Sequence, residues 1–312
     1  MIIKRTIITD KVIRDVLLNT LLESLTSAYN FLASLFGGFI ILFSFFHDSI
    51  DFELWQSIII GIVIYIIIFG AIFNIKAVKN FAKVYYQANE FNLYGETIIT
   101  LSAAFSIIHE LERSNIIDFY YIMNRLESFC SVIQGVFHKL TGYKCSVSIK
   151  IHVEELNNED PTVITLCRDI ETTKNGEREK RNGSIKHFIS QNSCFQHFYI
   201  NIGKKRGRSY LNNNIVMDLN YKNTSFEFYD PKPTSVDPEI RTKEWPLPYK
   251  SELVVPIKLN EEDDNSSLIG FLCVDCEEIN VFNKKYDPSM TIGIAEGIYN
   301  VLKKYKELGT LN

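Results

Sequence analysis

The chain has 312 residues, of which 46% are hydrophobic and 22% charged, and a formal net charge of −4. These are the figures of an ordinary globular protein of about two domains. They provide no global attraction to nucleic acid or to an anionic surface, so any such partner must be recognised locally.

The average conceals a division along the chain. No Asp, Glu, Lys or Arg occurs from Ser24 to His47, and none from Leu54 to Ile75. A helix rises about 1.5 Å per residue and the hydrocarbon core is about 30 Å thick, so each stretch is long enough to cross it. The second, LWQSIIIGIVIYIIIFGAIF, is apolar on every face, as a soluble helix is not. The first carries Tyr29, Asn30, Ser34 and Ser44, so a buried helix is its alternative reading. A transmembrane helical hairpin over residues 1–75 is expected, with spans at about 28–46 and 54–73. A cleaved signal peptide is not, because a long polar and charged segment precedes the first span.

Lys4, Arg5, Lys11 and Arg14 lie before the first span and Lys76, Lys79 and Lys83 after the second, whereas the connector has Asp48, Asp51 and Glu53 and no base. The positive-inside bias puts both termini in the cytoplasm and the connector outside, as expected at a bacterial cytoplasmic membrane. All six cysteines then face a reducing compartment, and no disulfide framework is expected. Ala33 with Gly37 and Ser34 with Gly38 are small-xxx-small pairs that let helices approach closely, between subunits or within the hairpin. Asn30, Ser34 and Ser44 are candidates for a water-facing side in a homo-oligomeric pore, a dimer or tetramer.

A helical linker follows over residues 76–141, with a joint expected near Gly95. Phe119, Ile122, Leu126, Phe129, Ile133, Val136 and Leu140 recur three and four apart, ending at Thr141 and Gly142. That stripe is either a dimerising coiled coil or the face of a helix packed on its own domain. From Cys145 the period changes to two: Val147, Ile149, Ile151 and Val153 alternate with Ser146, Ser148, Lys150 and His152, the pattern of a half-buried strand. VITLCRDI reads as a second strand and SIKHFISQ as a short helix capped by Ser184. SELVVPIKL and SLIGFLCVD flank an acidic turn and form a hairpin, and a last helix starts near Pro288. The fold class is α+β with a central antiparallel sheet over residues 142–312.

These strings carry a resemblance. Leu253 to Leu259, Ile269 to Asp275 and Ile292 to Leu302 are similar to the C-terminal half of a GAF domain, and Cys167 to Ile170 resembles that family's second strand. The resemblance implies a sensor domain, a paired Val-Pro-Ile and Gly-x-Leu-x-Val-Asp strand couple, and a closing helix beside the N-terminal one. It names no ligand.

The densest basic cluster is Lys204, Lys205, Arg206 and Arg208, with Tyr210, around Gly203 and Gly207. Several phosphate-pairing groups in one loop suit a nucleotide or oligonucleotide; a solvated loop, or one resting on headgroups, is the alternative. Phe228, Tyr229, Arg241 and Lys243 belong to a stretch that, in the resembling fold, lies over the sensor pocket, where rings stack a base and cations pair its phosphate. Aromatics between prolines also pin loops to a core. Cys273 and Cys276 form a lone CVDC whose members point to opposite faces of a strand, so no metal is expected. Asp169, Asp218, Asp230 and Asp275 are ungrouped, and no nucleophile elbow, P-loop or HExxH is present, so neither an enzyme nor a cofactor is expected. A short membrane hairpin fused to a ligand-binding domain resembles the layout of membrane effectors in nucleotide-signalling anti-phage systems, the CBASS and Hailong types. A tethered sensor signalling to a separate partner is the other reading.

Overall fold

The computed structural model describes residues 16–31, 33, 54–153, 160–174, 185–200, 208–227, 233–258 and 268–309. It divides into two compact units, Met1–Gly95 and Glu96–Asn312.

In the first unit residues 16–31 form α1, and the early part of α2, Leu54–Arg113, belongs to the same unit. Thr20, Ser24 and Ala28, four residues apart on α1, are fully buried. Lys76 of α2 donates to the Glu23 carbonyl and the Ser27 hydroxyl, at 2.8 and 2.7 Å, and Asn80 donates to Thr20 at 2.9 Å. Higher numbers on one helix thus meet lower numbers on the other, an antiparallel pair meeting on small and hydroxyl side chains. Among the described residues one helix, α2, is long and apolar enough to cross a membrane. Of the residues proposed for helix packing or a pore, Ser34, Gly37, Gly38 and Ser44 lie outside the described residues; Asn30 on α1 and Ala33 beyond its end are exposed. Helix α2 runs through Gly95, the position at which a joint is expected and at which the two units divide.

In the second unit Asp118 starts α3, Phe119–Thr141, by accepting the Tyr120 and Tyr121 amides at 2.8 and 3.3 Å. Gly142, at φ 75°, ends it in the left-handed conformation that glycine adopts without strain. The six-stranded sheet has the order β3-β2-β1-β6-β5-β4, with antiparallel pairing throughout. Its strands are β1 Cys145–Val153, β2 Thr162–Arg168, β3 His187–Phe188, β4 Tyr210–Asn212, β5 Ser251–Ile257 and β6 Gly270–Cys276. The helices α4 Ile170–Lys174, α5 Ser193–Ile200, α6 Pro238–Lys243 and α7 Asp287–Glu307 complete the unit. The expected helix SIKHFISQ is instead strand β3 followed by a one-turn 3-10 helix, Ile189–Gln191. His187 is held in the sheet by pairing with Val163, and the α-helix starts only at Ser193.

One sheet face packs on helices. Ile122, Leu126, Phe129, Ile133 and Val136 of α3 join Leu101, Ala104, Ile108 and Leu111 of α2, Ile294, Ile298 and Leu302 of α7, and the inward residues of β1, β5 and β6 in one core. Each such side chain removed from water contributes roughly 1.5–3 kcal/mol. The α3 stripe is therefore spent on its own domain, which decides between the two readings of the heptad pattern. Gly297 lets α7 approach α2, since a Cβ there would meet Phe105 at 2.7 Å. The Val-Pro-Ile and Gly-x-Leu-x-Val-Asp strings are paired neighbours, Ile257 opposite Gly270, and the closing helix shares a core with α3, as the GAF resemblance implies.

Candidate functional site

The opposite face of the sheet carries a cavity of about 50 Å³ of water-accessible space. Strand alternation supplies its floor: Ser148 and Lys150 of β1, Cys273 and Asp275 of β6, and Glu252 and Val254 of β5 all face away from the helical core. Register sets them in rows, Arg168, Ser148, Cys273 and Val254 in one, Asp275 and Glu252 in the next.

A β-bulge completes the floor. Ile149 pairs with Cys167 but Lys150 pairs with Thr165, so Leu166 is the extra residue. Three positions apart, Thr165 and Arg168 would otherwise point to opposite faces; the bulge puts both beside Lys150. Lys150 then donates to the Thr165 hydroxyl at 3.0 Å and Arg168 Nη2 to the same oxygen at 3.4 Å.

The walls come from α5 and the segments around residues 187–192, 221–225 and 249. His187 Nδ1 lies 2.6 Å from the Thr224 hydroxyl, and Asn192 bonds the same hydroxyl and the Phe188 carbonyl. Asn223 donates to Tyr221 and Tyr249, both at 2.8 Å, and the Tyr221 hydroxyl donates to Glu252 Oε2 at 3.1 Å. Phe195 and Phe198 close on Phe271, with ring centroids 4.8 and 5.4 Å away.

Charge is deeply buried here: Glu252 is 2% exposed and Lys150 and Arg168 each 9%. Burial first, and then the neighbouring Asp275, pushes the Glu252 carboxyl up to about 8. Burial first, and then the neighbouring Arg168, brings the Lys150 ammonium down to about 8. Burial also pushes the Cys273 thiol up to about 12, which makes it a poor nucleophile. Glu252 Oε1 has no hydrogen-bond partner among the described residues.

No protein-family model and no curated protein matches the sequence. Solved structures to which the chain is similar include two GAF domains of phosphoenolpyruvate-protein phosphotransferases. The one from Acinetobacter is 13% identical, with 68% of this chain and 97% of that chain covered and a TM-score of 0.38. The one from Coxiella burnetii is 11% identical, with 69% and 99% covered and a TM-score of 0.43. A free methionine-R-sulfoxide reductase from Neisseria meningitidis is 12% identical, with 65% and 89% covered and a TM-score of 0.34. Likeness of this extent concerns the fold alone, so the site is argued from its own residues.

Of the residues that the sequence suggests for a nucleotide, none of those described lines the cavity. Lys204, Lys205, Arg206, Phe228 and Tyr229 lie outside the described residues; Arg208 and Lys243 are exposed. Tyr210 is paired with Val254 and packs its ring on His197 at 5.5 Å. Arg241, read from the sequence as a phosphate-pairing cation, is 2% exposed and donates to the carbonyls of Val216, Pro233 and Ser235 at 2.7, 2.9 and 3.1 Å. It ties a loop together, because a guanidinium carries five donors in a fixed planar fork and can serve several carbonyls at once. Trp245, Tyr249 and Tyr221 form a cluster with Ile215, Val216 and Leu247, so those aromatics pin the long loop, and Tyr249 also lines the cavity. Of the four aspartates, Asp230 lies outside the described residues; among the other three, Asp169 accepts the Val147 and Thr172 amides at 2.9 and 2.8 Å, Asp218 accepts from Asn212 at 3.0 Å, and Asp275 alone lines the cavity. Cys273 faces the cavity and Cys276 the helical core, as their spacing on one strand requires. Among the described residues no group of three or more His, Cys, Asp or Glu is placed to hold a metal ion.

The sequence reading passed over Lys150, Arg168, Glu252, Asn192 and Asn223. A signal was available in single charges set inside apolar strands, SELVVPI and VITLCR, where an ordinary buried strand carries none.

Proposed function

We propose that the Glu96–Asn312 unit is a small-ligand sensor and that the whole chain is a membrane effector controlled by it, most simply an oligomeric pore. The observation that carries the sensor reading is the buried mixed-charge cavity, in which a Glu252 oxygen has no hydrogen-bond partner among the described residues. Buried charge without full compensation costs stability, and a chain that keeps it in a cavity gains something other than stability from it. An apolar lining would have served a purely structural role better.

The membrane part of the proposal is supported by the charge-free stretches and by exposed apolar side chains such as Leu18, Leu22, Ile66, Ile67, Ile75 and Val78 in the first unit. About 50 Å³ accommodates roughly four waters, which favours a small polar solute over the nucleotide expected from the basic loop. Gating by a nucleotide in anti-phage defence is the reading that the resemblance of layout supports.

The test is thermal denaturation of the purified full-length chain against a panel of amino acids, organic acids, polyamines and nucleotides, followed by dye release from liposomes carrying the protein. A ligand that raises the midpoint for the wild type and not for Val254→Trp, which fills the cavity, supports the sensor. Ligand-dependent dye release supports the effector. Binding without release favours the tethered sensor, and a nucleotide that binds equally well to Val254→Trp places its site elsewhere.

A further inference from the structure

The cavity is dipolar because the strand order makes it so. With the order β2-β1-β6-β5, the two cations, Arg168 and Lys150, stand on one half of its floor and the two carboxylates, Asp275 and Glu252, on the other. We infer that the cavity recognises a small zwitterion of α-amino-acid type, with its carboxylate toward Lys150 and Arg168 and its ammonium toward Glu252 and Asp275. This rests on the sensor reading and names the ligand class for it.

Both halves have capacity in hand. Glu252 accepts one bond, from Tyr221 on Oε2, and its other oxygen is buried and unpartnered among the described residues. An ionised carboxylate accepts several donors, and an ammonium ligand brings three. Lys150 uses one of its three donors, on Thr165. An anion alone would meet Glu252 and Asp275, a cation alone would meet Lys150 and Arg168, and a neutral solute would bring no charge to the open capacity of either Lys150 or Glu252. A zwitterion of the same polarity satisfies both walls. The volume sets the size: room for about four waters suits glycine, alanine or serine, with Val254 and Phe195 beside a short side chain.

Protonation adds a signature. Glu252 is faced by Asp275 from β6, Lys150 from β1, Tyr210 from β4, Asp218 and Tyr221 from the segment after β4, and Cys194 from α5. In the empty cavity its carboxyl, raised to about 8, holds a proton at pH 7. An incoming ammonium favours the ionised form and expels that proton, so binding at pH 7 releases protons and affinity rises from pH 6 toward 8. Above about 8 Lys150 loses its charge and the trend reverses.

The experiment is isothermal titration calorimetry on the full-length protein, in two pH 7 buffers of different ionisation enthalpy. The probes are L-alanine, propionate as its carboxylate half and ethylamine as its ammonium half. The expected result is alanine binding at least tenfold tighter than either half with net proton release. Glu252→Gln should weaken alanine at least tenfold, leave propionate unchanged and abolish the proton release; Lys150→Met should weaken alanine and propionate alike. A far-ultraviolet spectrum and a melting midpoint at or above wild type establish that the variants fold. Propionate or ethylamine binding as tightly as alanine, or alanine binding unchanged in Glu252→Gln, overturns the zwitterion assignment and leaves the sensor reading intact. Failure of all these probes and of the wider panel to bind the wild type overturns both.

Discussion

Gly270 is a point where the cavity-bearing sheet tolerates no side chain, and its replacement by alanine gives a sharp test of the fold. A Cβ at this position would lie 2.0 Å from the Lys150 carbonyl oxygen and 3.0 Å from the Ile151 Cα, both backbone atoms. No rotamer change relieves that, so β6 and β1 must separate by more than about 1 Å to reach an ordinary contact. The bond from the His152 amide to the Ile269 carbonyl, 2.8 Å in the native sheet, then exceeds bonding length, and so does its neighbour in the ladder. Overpacking costs about 1–3 kcal/mol and each lost bond about 1 kcal/mol, so Gly270→Ala should cost about 3–5 kcal/mol. For a unit of this size that lowers the melting midpoint by on the order of 10 °C. Gly135 and Gly293 provide the control: both are exposed in helices, and a Cβ at either meets nothing within 4 Å. Alanine there should stabilise by about 0.5–1 kcal/mol through helix propensity. Chemical denaturation of the three variants measures the contrast. A Gly270→Ala stability within about 1 kcal/mol of wild type would refute the close approach of β6 to β1.

Arg241→Met should cost about 3 kcal/mol or more, because three carbonyls lose their donor, whereas Lys243→Ala should be neutral within about 0.5 kcal/mol; urea midpoints compare them. Glu252 has a folded pKa raised to about 8 from a normal carboxyl value, so its burial opposes folding increasingly as pH rises toward 8. Glu252→Gln should therefore raise the melting midpoint more at pH 8.5 than at pH 5, and equal gains at both would contradict the burial. Lys150, lowered to about 8, opposes folding increasingly as pH falls from 10.5 toward 8, so Lys150→Met should gain more at pH 7 than at pH 10. All six cysteines are buried, so Ellman's reagent should react slowly with the native chain and fully in denaturant. For the proposed topology, an impermeant maleimide applied to intact cells should label Ser49→Cys and spare Tyr120→Cys; the reverse pattern would invert the orientation.

Much of the architecture follows from periodicity that any one segment carries alone. The three-and-four spacing from Phe119 to Val136 specifies a helix with one buried face, and the alternation from Cys145 to Val153 specifies a half-buried strand, because hydrophobic burial acts locally through each element's own repeat. Gly142 and Asp118 mark the ends of α3 for equally local reasons. What the α3 stripe packs against is not local, and only the assembled core assigns it to β1 and β2 rather than to a second chain. The alternation also places Ser148 and Lys150 on the polar face of their strand, yet it says nothing of which strand lies beside it. The site depends on that neighbour: the strand order brings Lys150 between Thr165 and Phe271, and the bulge at Leu166 turns Thr165 and Arg168 to the same side. A lone charge in SELVVPI reads as an ordinary edge residue until Glu252 is found opposite Asp275 beneath Tyr221. Conversely, Arg241 looks available in sequence and is consumed by backbone carbonyls from residues 216, 233 and 235. Side-chain chemistry is written in the sequence, but whether a charge is solvated, paired or left facing a cavity depends on contacts between residues distant in the chain, which only tertiary folding brings together.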